Sequence, residues 1–155
     1  MSDLPSVHLQ PIVDRYLWQK ITAFIPKTTA GPYPRTLGKI NGLLIRLIDG
    51  NSIRRRYFAD FNYGGHDLVY GPGNKAYPDV RFIPKGEIWL DGLIKYDGLV
   101  TTLYHELIEH SLMKKGIPYS RAHQVANLSE RILSGYKTKL ARAPLKFRAV
   151  DTKRG

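Results

Sequence analysis

The segment 97–133 reads DGLVTTLYHELIEHSLMKKGIPYSRAHQVANLSERIL, and its apolar residues recur with the period of an α-helix on both sides of a short break. Asp97 is a suitable N-cap for the first helix, and Gly116 supplies the left-handed residue that ends it. Ser120 is a suitable cap for the second helix, which the pattern extends to about Leu133. A link this short predicts two antiparallel helices that form a hairpin.

Upstream of this hairpin, the sequence predicts one helix and several short strands. The helix covers residues 12–24 and ends before Pro26. The predicted strands are residues 43–48, 53–61, 80–83 and 87–90. Turns at Asp49-Gly50-Asn51 and Pro84-Lys85-Gly86 would join them into two β-hairpins. The sequence therefore predicts an α+β domain over residues 1–136, with a small antiparallel sheet followed by the helical hairpin.

The positive charge of the chain lies at its two ends. The net charge is +11, yet residues 64–134 hold eight basic and eight acidic side chains and are neutral. Residues 137–155 form a predicted basic tail. Such flanks favour nucleic acid or another polyanion as the partner, and the alternative is a basic tail that only aids solubility. The side chains predicted to contact nucleic acid are Arg54, Arg55, Arg56, Lys137, Lys139, Arg142, Lys146 and Arg148.

Composition excludes several kinds of site. The chain of 155 residues has no cysteine, so a disulfide framework and a thiolate metal site are both excluded. It contains no apolar run long enough to span a bilayer and no signal-peptide pattern. We therefore expect a cytoplasmic protein without a membrane partner.

The first helix of the hairpin carries the chemically most specific pattern, His105-Glu106-x-x-Glu109. Residues four apart lie side by side on a helix, so His105 and Glu109 can hold one metal ion, and Glu106 can reach its bound water as the catalytic base. The metallopeptidase motif has a second His in place of Glu109. Zinc is the expected ion, with manganese or iron as alternatives because carboxylates suit harder metals.

Three side chains elsewhere are candidates for the third ligand. Antiparallel pairing of the two helices puts Glu130 level with His105. Glu130 is therefore the favoured third ligand. His123 lies on the same stripe of the second helix, about 10 Å along the axis from Glu130, so both can bind one ion only if the helices splay, and His123 is the rival. His66 follows two glycines that allow close backbone approach. His110 is read as a surface ion pair with Glu106. The alternative for the whole set is an amphipathic helix whose polar border holds His and Glu by chance.

The stretch from Gly64 to Glu130 resembles an uncharacterised family of small proteins of phages, large viruses and bacteria. The residues that carry the resemblance are Gly65-His66-Asp67, Ile83-Pro84-Lys85-Gly86-Glu87-Ile88-Trp89-Leu90-Asp91, His105-Glu106-Leu107-Ile108-Glu109, Leu112-Met113, Gly116, Tyr119, Ala122-His123 and Glu130. The resemblance implies a zincin-like helical pair in which the His and Glu residues of these motifs form one site. It covers less than half of the chain.

Two functions follow as hypotheses. The first is a metal-dependent hydrolase, in particular a zincin-like metallopeptidase, with Glu106 as the base. The second is a non-enzymatic protein that associates with nucleic acid or belongs to a virion assembly, located in the host cytoplasm or the virion. A third reading is a structural His–carboxylate cluster that only fixes the hairpin.

Overall fold

The computed structural model describes residues 9–72, 74 and 76–142, with side chains described as far as residue 135. Five helices and four strands lie within this part of the chain. The helices are α1 (Arg15–Phe24), α2 (Gly50–Arg56), α3 (Asp67–Tyr70), α4 (Tyr96–Lys114) and α5 (Tyr119–Arg142). The strands are β1 (Arg35–Ile40), β2 (Leu43–Ile48), β3 (Gly64–His66) and β4 (Glu87–Asp91).

The sheet is mixed, with strand order β1-β2-β4-β3. β1 pairs antiparallel with β2, and β3 pairs antiparallel with β4, but β2 and β4 are parallel. The α+β class and the closely packed hairpin of α4 and α5 are confirmed. An antiparallel sheet was expected, but β2 and β4 are parallel. The reason is that the chain that leaves β2 forms a helix where a tight turn was predicted.

That helix, α2, replaces both the predicted turn at residues 49–51 and the predicted strand 53–61. The Asp49 side chain accepts hydrogen bonds from the backbone N–H groups of Asn51 (3.0 Å) and Ser52 (3.3 Å), so it caps a helix instead of forming a hairpin turn. Gly50 is required because a Cβ there would lie 2.1 Å from a carboxylate oxygen of Asp91 at the end of β4.

The predicted strand 80–83 is also absent, and with it the second β-hairpin. The backbone N–H groups of Phe82 and Ile83 both donate to the Tyr70 carbonyl, at 2.8 and 3.0 Å, so this segment forms no ladder with a neighbouring strand. The turn at 84–86 is present, since the Glu87 N–H donates to the Pro84 carbonyl and Gly86 has φ +80°. β1 and β3 were not predicted.

Helices α1, α4 and α5 pack on one face of the sheet and enclose the larger core. Tyr104 joins them, because its buried hydroxyl donates to the Ile12 carbonyl and accepts the Asp14 N–H. A second cluster, rich in aromatic residues, lies on the other face. Its buried members are Ile48, Ile53, Phe61, Val69, Tyr70 and Ile83. The two cores hold β3, α4 and α5 together at the edge where the histidines meet.

α5 is longer than predicted, because it continues through Gly135 to Arg142. The first six residues of the predicted basic tail, 137–142, are therefore helical, including the positions of Lys137, Lys139 and Arg142. Residues 143–155, with Lys146 and Arg148, lie outside the described residues. No helix of the described part of the chain is long and apolar enough to cross a membrane.

Candidate metal centre

Histidine and glutamate side chains from three elements meet beside a cavity of about 230 Å³. β3 contributes His66, α4 contributes His105, Glu106 and Glu109, and α5 contributes His123 and Glu130. All six side chains that the sequence proposed as catalytic or metal-binding are therefore brought together. The cavity is lined by Asn62, Tyr63, Gly64, Val69, Tyr70, Thr102, His105, Glu106, Glu109, Tyr119, His123, Asn127 and Glu130.

The Glu109 carboxylate is the centre of this cluster and is only 3% exposed. Its Oε1 lies 2.9 Å from Nε2 of His66, while its Oε2 lies 3.3 Å from Nε2 of His105 and 2.7 Å from Nδ1 of His123. Burial acts to raise the pKa of Glu109, but the hydrogen bonds with the three imidazoles outweigh burial and hold that pKa below its usual range. Glu109 is therefore an ionised carboxylate that forms hydrogen bonds with three imidazole nitrogens.

Glu130 contacts the other side of the His105 ring. Its Oε1 lies 2.7 Å from Nδ1 of His105, which confirms the proximity expected from antiparallel pairing. Nδ1 and Nε2 point away from each other, so an ion at Nε2 of His105 is out of reach of Glu130. Burial acts to lower the pKa of His105, but the hydrogen bonds with Glu109 and Glu130 outweigh it and raise the pKa to about 10. Glu130 thus orients the imidazole, as carboxylates do behind many metal-bound histidines.

Both ring nitrogens of His66 form hydrogen bonds. Nδ1 accepts the Leu68 N–H at 3.2 Å, so the proton of a neutral His66 is on Nε2 and is donated to Glu109. Burial lowers the pKa of His66, which is fully buried, and this favours the neutral ring. A ligand role for Nε2 would require that proton to leave and the bond from Leu68 to break. His66 is consequently better suited to hold Oε1 of Glu109 than to bind the ion.

Three donor atoms are then better placed for a metal: Nε2 of His105, Nδ1 of His123 and Oε2 of Glu109. An ion bound here would displace the protons that the two imidazoles now share with Oε2 of Glu109. The ligand atoms of these three residues lie within 4.8 Å of one another. Two imidazoles and one carboxylate are a donor set found in catalytic zinc sites with an open coordination position. Two other groups of residues come equally close, His66–Glu106–Glu109 and His66–Asp67–His110, but both require His66 to give up the hydrogen bonds described above.

Glu106 provides a separate observation that fits a cation. Its Oε1 is buried and has no hydrogen-bond partner among the described residues, and the nearest imidazole nitrogen, Nε2 of His66, is 4.0 Å away. Burial, together with the nearby charge of Glu109, raises the pKa of Glu106 to about 8, against the opposing effect of His105. An unpartnered buried carboxyl oxygen in a cluster of ligands is explained by an ion or a water molecule that it serves.

The prediction that His110 forms a surface ion pair with Glu106 is wrong. His110 is 7% exposed, and its Nε2 lies 3.0 Å from Oδ1 of Asp67. Oδ2 of Asp67 accepts the Gly86 N–H at 2.6 Å. Burial acts to raise the pKa of Asp67, but these two hydrogen bonds outweigh it and lower the pKa. Asp67 and His110 therefore tie α3, the turn before β4 and α4 together behind the site.

The rest of the cavity wall offers groups that can contact a substrate. The side chains of Asn62, Thr102 and Asn127 line the cavity without a hydrogen bond to another described residue. Burial raises the pKa of Tyr70 and of Tyr119 above the ordinary range, so both phenols keep their protons near neutral pH. The sequence pattern did not indicate Asn62 or Thr102, because neither belongs to the motif that marked the helix.

The arginines predicted to bind nucleic acid are in different environments. Arg54 is held within the fold: it donates to the carbonyls of Phe61 and Asn62 and to the side chains of Asn51 and Asp91, at 2.8–3.3 Å. Its guanidinium is therefore committed to joining α2 to β4. Arg55 and Arg56 are exposed.

Comparison with protein-family models, with curated proteins and with solved structures finds no match to this chain. The resemblance to the phage and viral family therefore remains an expectation from the motifs. The function is therefore inferred from the contacts within the site.

The assignment of Glu130 leads to a prediction. Replacing Glu130 by Gln should weaken divalent metal binding by roughly 10- to 100-fold, because the uncharged acceptor polarises the imidazole of His105 less. The stoichiometry should stay at one ion per chain. Competition with a chromophoric chelator measures the affinity, and the visible absorption of the Co²⁺ form reports the ligands. A changed Co²⁺ spectrum, or loss of binding, would show that Glu130 is itself a ligand.

Proposed function

We propose that this protein is a metal-dependent hydrolase whose divalent ion, zinc in the first instance, is held by His105, Glu109 and His123. The observation that supports this most directly is the convergence of two imidazole nitrogens on a single oxygen of Glu109. The buried and unpartnered carboxyl oxygen of Glu106 lies in the same cluster. A set of three protein ligands leaves coordination positions open, as catalysis by a metal requires.

Each residue of the cluster has a role that follows from its contacts. Glu130 holds the ring of His105 through Nδ1, and His66 holds Oε1 of Glu109, which supports a single ion shared by the three ligand atoms, all within 4.8 Å of one another. Glu106 would act as the general base: a cation in the cluster favours its ionised form, which would accept a proton from the attacking water and deliver it to the leaving group. A divalent ion bound here would polarise the substrate carbonyl and lower the pKa of that water.

The cavity suggests an amide or ester substrate of which only a part enters. Its volume of about 230 Å³ lies below the range of roughly 300–1,000 Å³ that encloses a complete small ligand. Asn127 of α5 and Thr102 of α4 supply polar groups at the wall, which suits a carbonyl flanked by amide groups. A peptide segment is the substrate that agrees best with these features, so we propose a metallopeptidase-like activity.

Chelation tests the proposal. Protein stripped with a chelator should bind one divalent ion per chain, measured by elemental analysis after zinc, manganese or iron is supplied. Hydrolysis of a peptide library should be lost on stripping and regained with the ion, because the ion activates the water. His123→Ala should lose stoichiometric binding. A wild-type chain that binds no ion, with a folded cluster, would instead assign these residues to a structural hydrogen-bonded network.

A further inference from the structure

A second cavity, of about 380 Å³, lies on the opposite face of the sheet from the helical hairpin. Side chains alternate along a strand, so Trp89 of β4 faces away from Ile88 and Leu90, which pack in the core with α4 and α5. The second cavity shares no lining residue with the candidate metal centre. Its wall consists of Tyr33, Pro34, Arg46, Ile48, Asp49, Ser52, Ile53, Arg56, Tyr57 and Trp89.

Arg46 in this wall has unused hydrogen-bonding capacity. Its Nε is buried and finds no partner among the residues that the structure describes, although the side chain as a whole is 27% exposed. Its Nη1 lies 3.9 Å from Oε1 of Glu87, too far for a hydrogen bond. A guanidinium has five donors arranged for a planar anion, and a buried donor without a partner is rare in folded proteins. Because Nε itself is buried, a phosphate in the cavity would contact the other donors of the partly exposed guanidinium, and through them Arg46 is a candidate ligand for phosphate.

Arg56 adds a second cation to the same wall. It lies in the last turn of α2 and is exposed, and its guanidinium carbon is 5.7 Å from the centre of the Tyr57 ring. The two carboxylates nearby already have donors. Asp49 caps α2, and Glu87 accepts the indole N–H of Trp89 at 2.9 Å. Both arginines thus keep hydrogen-bond donors for an anion at this cavity, while Glu87 offsets part of the charge of Arg46.

The aromatic side chains of the wall form a rigid surface beside these cations. Tyr57 is 52% exposed and stacks on Phe82, with ring centres 5.1 Å apart, and Phe82 in turn packs against Trp89. The Tyr33 hydroxyl lies 2.6 Å from the Thr29 carbonyl, which fixes the orientation of its ring. An exposed aromatic ring on a fixed support can stack with a nucleobase, because every base has a π-face.

We propose that this cavity binds single-stranded nucleic acid, with a base against Tyr57 and Trp89 and the adjacent phosphates on Arg46 and Arg56. A single strand fits because its bases are free to leave the stack and enter a concave wall, whereas bases within a duplex are not. The net charge of +11 draws a polyanion to the surface and favours a strand over a single nucleotide. The proposal does not depend on the metal centre.

Fluorescence of Trp89 tests the proposal in the full chain. The protein has two tryptophans, so Trp18→Phe leaves Trp89 as the single reporter. A short oligothymidylate should quench this fluorescence and bind tightly at low salt. Arg46→Gln with Arg56→Gln should weaken binding and flatten the slope of log affinity against log salt by about 0.7 per lost phosphate contact. Arg121→Gln with Arg131→Gln removes the same charge from α5 and should leave the quenching intact.

Tyr57→Ala provides the independent variant, since an exposed ring can be removed without loss of the fold, which circular dichroism verifies. We expect its affinity to fall by about 5- to 150-fold, the effect of one lost base stack. The proposal is overturned if no oligonucleotide quenches the fluorescence of Trp89. It is also overturned if duplex DNA or thymidine monophosphate binds as tightly as the oligothymidylate, or if the two double-arginine variants lose the same amount of affinity. Binding seen by anisotropy without a response of Trp89 would place the nucleic acid on the basic tail instead.

Discussion

Replacing Glu106 by Gln is expected to lower the rate of hydrolysis by roughly 10²- to 10⁴-fold while one divalent ion per chain stays bound. A fall in rate of this size is expected when a general base is removed, because the amide that replaces the carboxyl cannot accept the proton of the attacking water. The ion should remain because the three proposed ligands are His105, Glu109 and His123. Rates on the most rapidly cleaved peptide of the library, together with elemental analysis of the same samples, measure both quantities.

Glu87→Gln is the matched control for this substitution. The chain has four glutamates, and Glu87 is the one outside the helical hairpin. It makes the same chemical change at a carboxylate that bonds to Trp89 and does not line the cavity of the metal centre, so hydrolysis should be unaffected. Full activity of Glu106→Gln with the ion in place would remove Glu106 from the reaction. Loss of the ion in Glu106→Gln would make Glu106 a ligand and would favour the alternative group His66–Glu106–Glu109.

Local sequence was sufficient to predict the helical hairpin and the proximity of its ionisable residues. Helical periodicity fixed which residues of α4 share a face, and the short link fixed the level of α5 beside it. His105, Glu109 and Glu130 therefore came together as expected. These features depend on contacts between residues close in the chain, for which the sequence pattern is informative.

The roles of the residues within the cluster could not be predicted in the same way. His123 and Glu130 are seven residues apart, about 10 Å along a helix, which appeared too far for one ion. In the structure they do not serve the same atom: His123 reaches Oε2 of Glu109, and Glu130 reaches Nδ1 of His105. Which ring nitrogen faces which carboxylate depends on side-chain rotation, and no periodicity contains that information.

Errors in the prediction of the fold arose where a tertiary contact outweighed local preference. The sequence Asp49-Gly50-Asn51 suits a tight turn, but the Asp49 side chain caps α2, and Asp91 of β4 accepts the Gly50 N–H. β3 has two glycines and only three residues, too little for a strand signal. A side chain at Gly65 would meet the Tyr70 ring at 2.5 Å, so packing of β3 against the end of α3 explains that glycine.

Replacing Glu109 by Ala is expected to abolish stoichiometric metal binding and to destabilise the metal-free protein. Three imidazoles lose their shared acceptor, and the fully buried His66 then has Glu106 as its nearest carboxylate, at 4.0 Å. Removing one partner from a buried charged cluster typically lowers the free energy of unfolding by about 3–5 kcal/mol. Denaturant unfolding in the presence of a chelator measures this loss without any contribution from a bound ion.

Asp79→Ala is the control, because it removes an exposed carboxylate and should change the free energy of unfolding by at most about 0.5 kcal/mol. The two measurements on Glu109→Ala separate two roles of the cluster. Loss of the ion with a large loss of stability means that Glu109 both binds the ion and organises the imidazoles around it. A metal-free Glu109→Ala protein as stable as the wild type would mean that the cost of burying the Glu109 carboxylate equals the gain from its hydrogen bonds, so that the cluster is maintained for binding and not for stability.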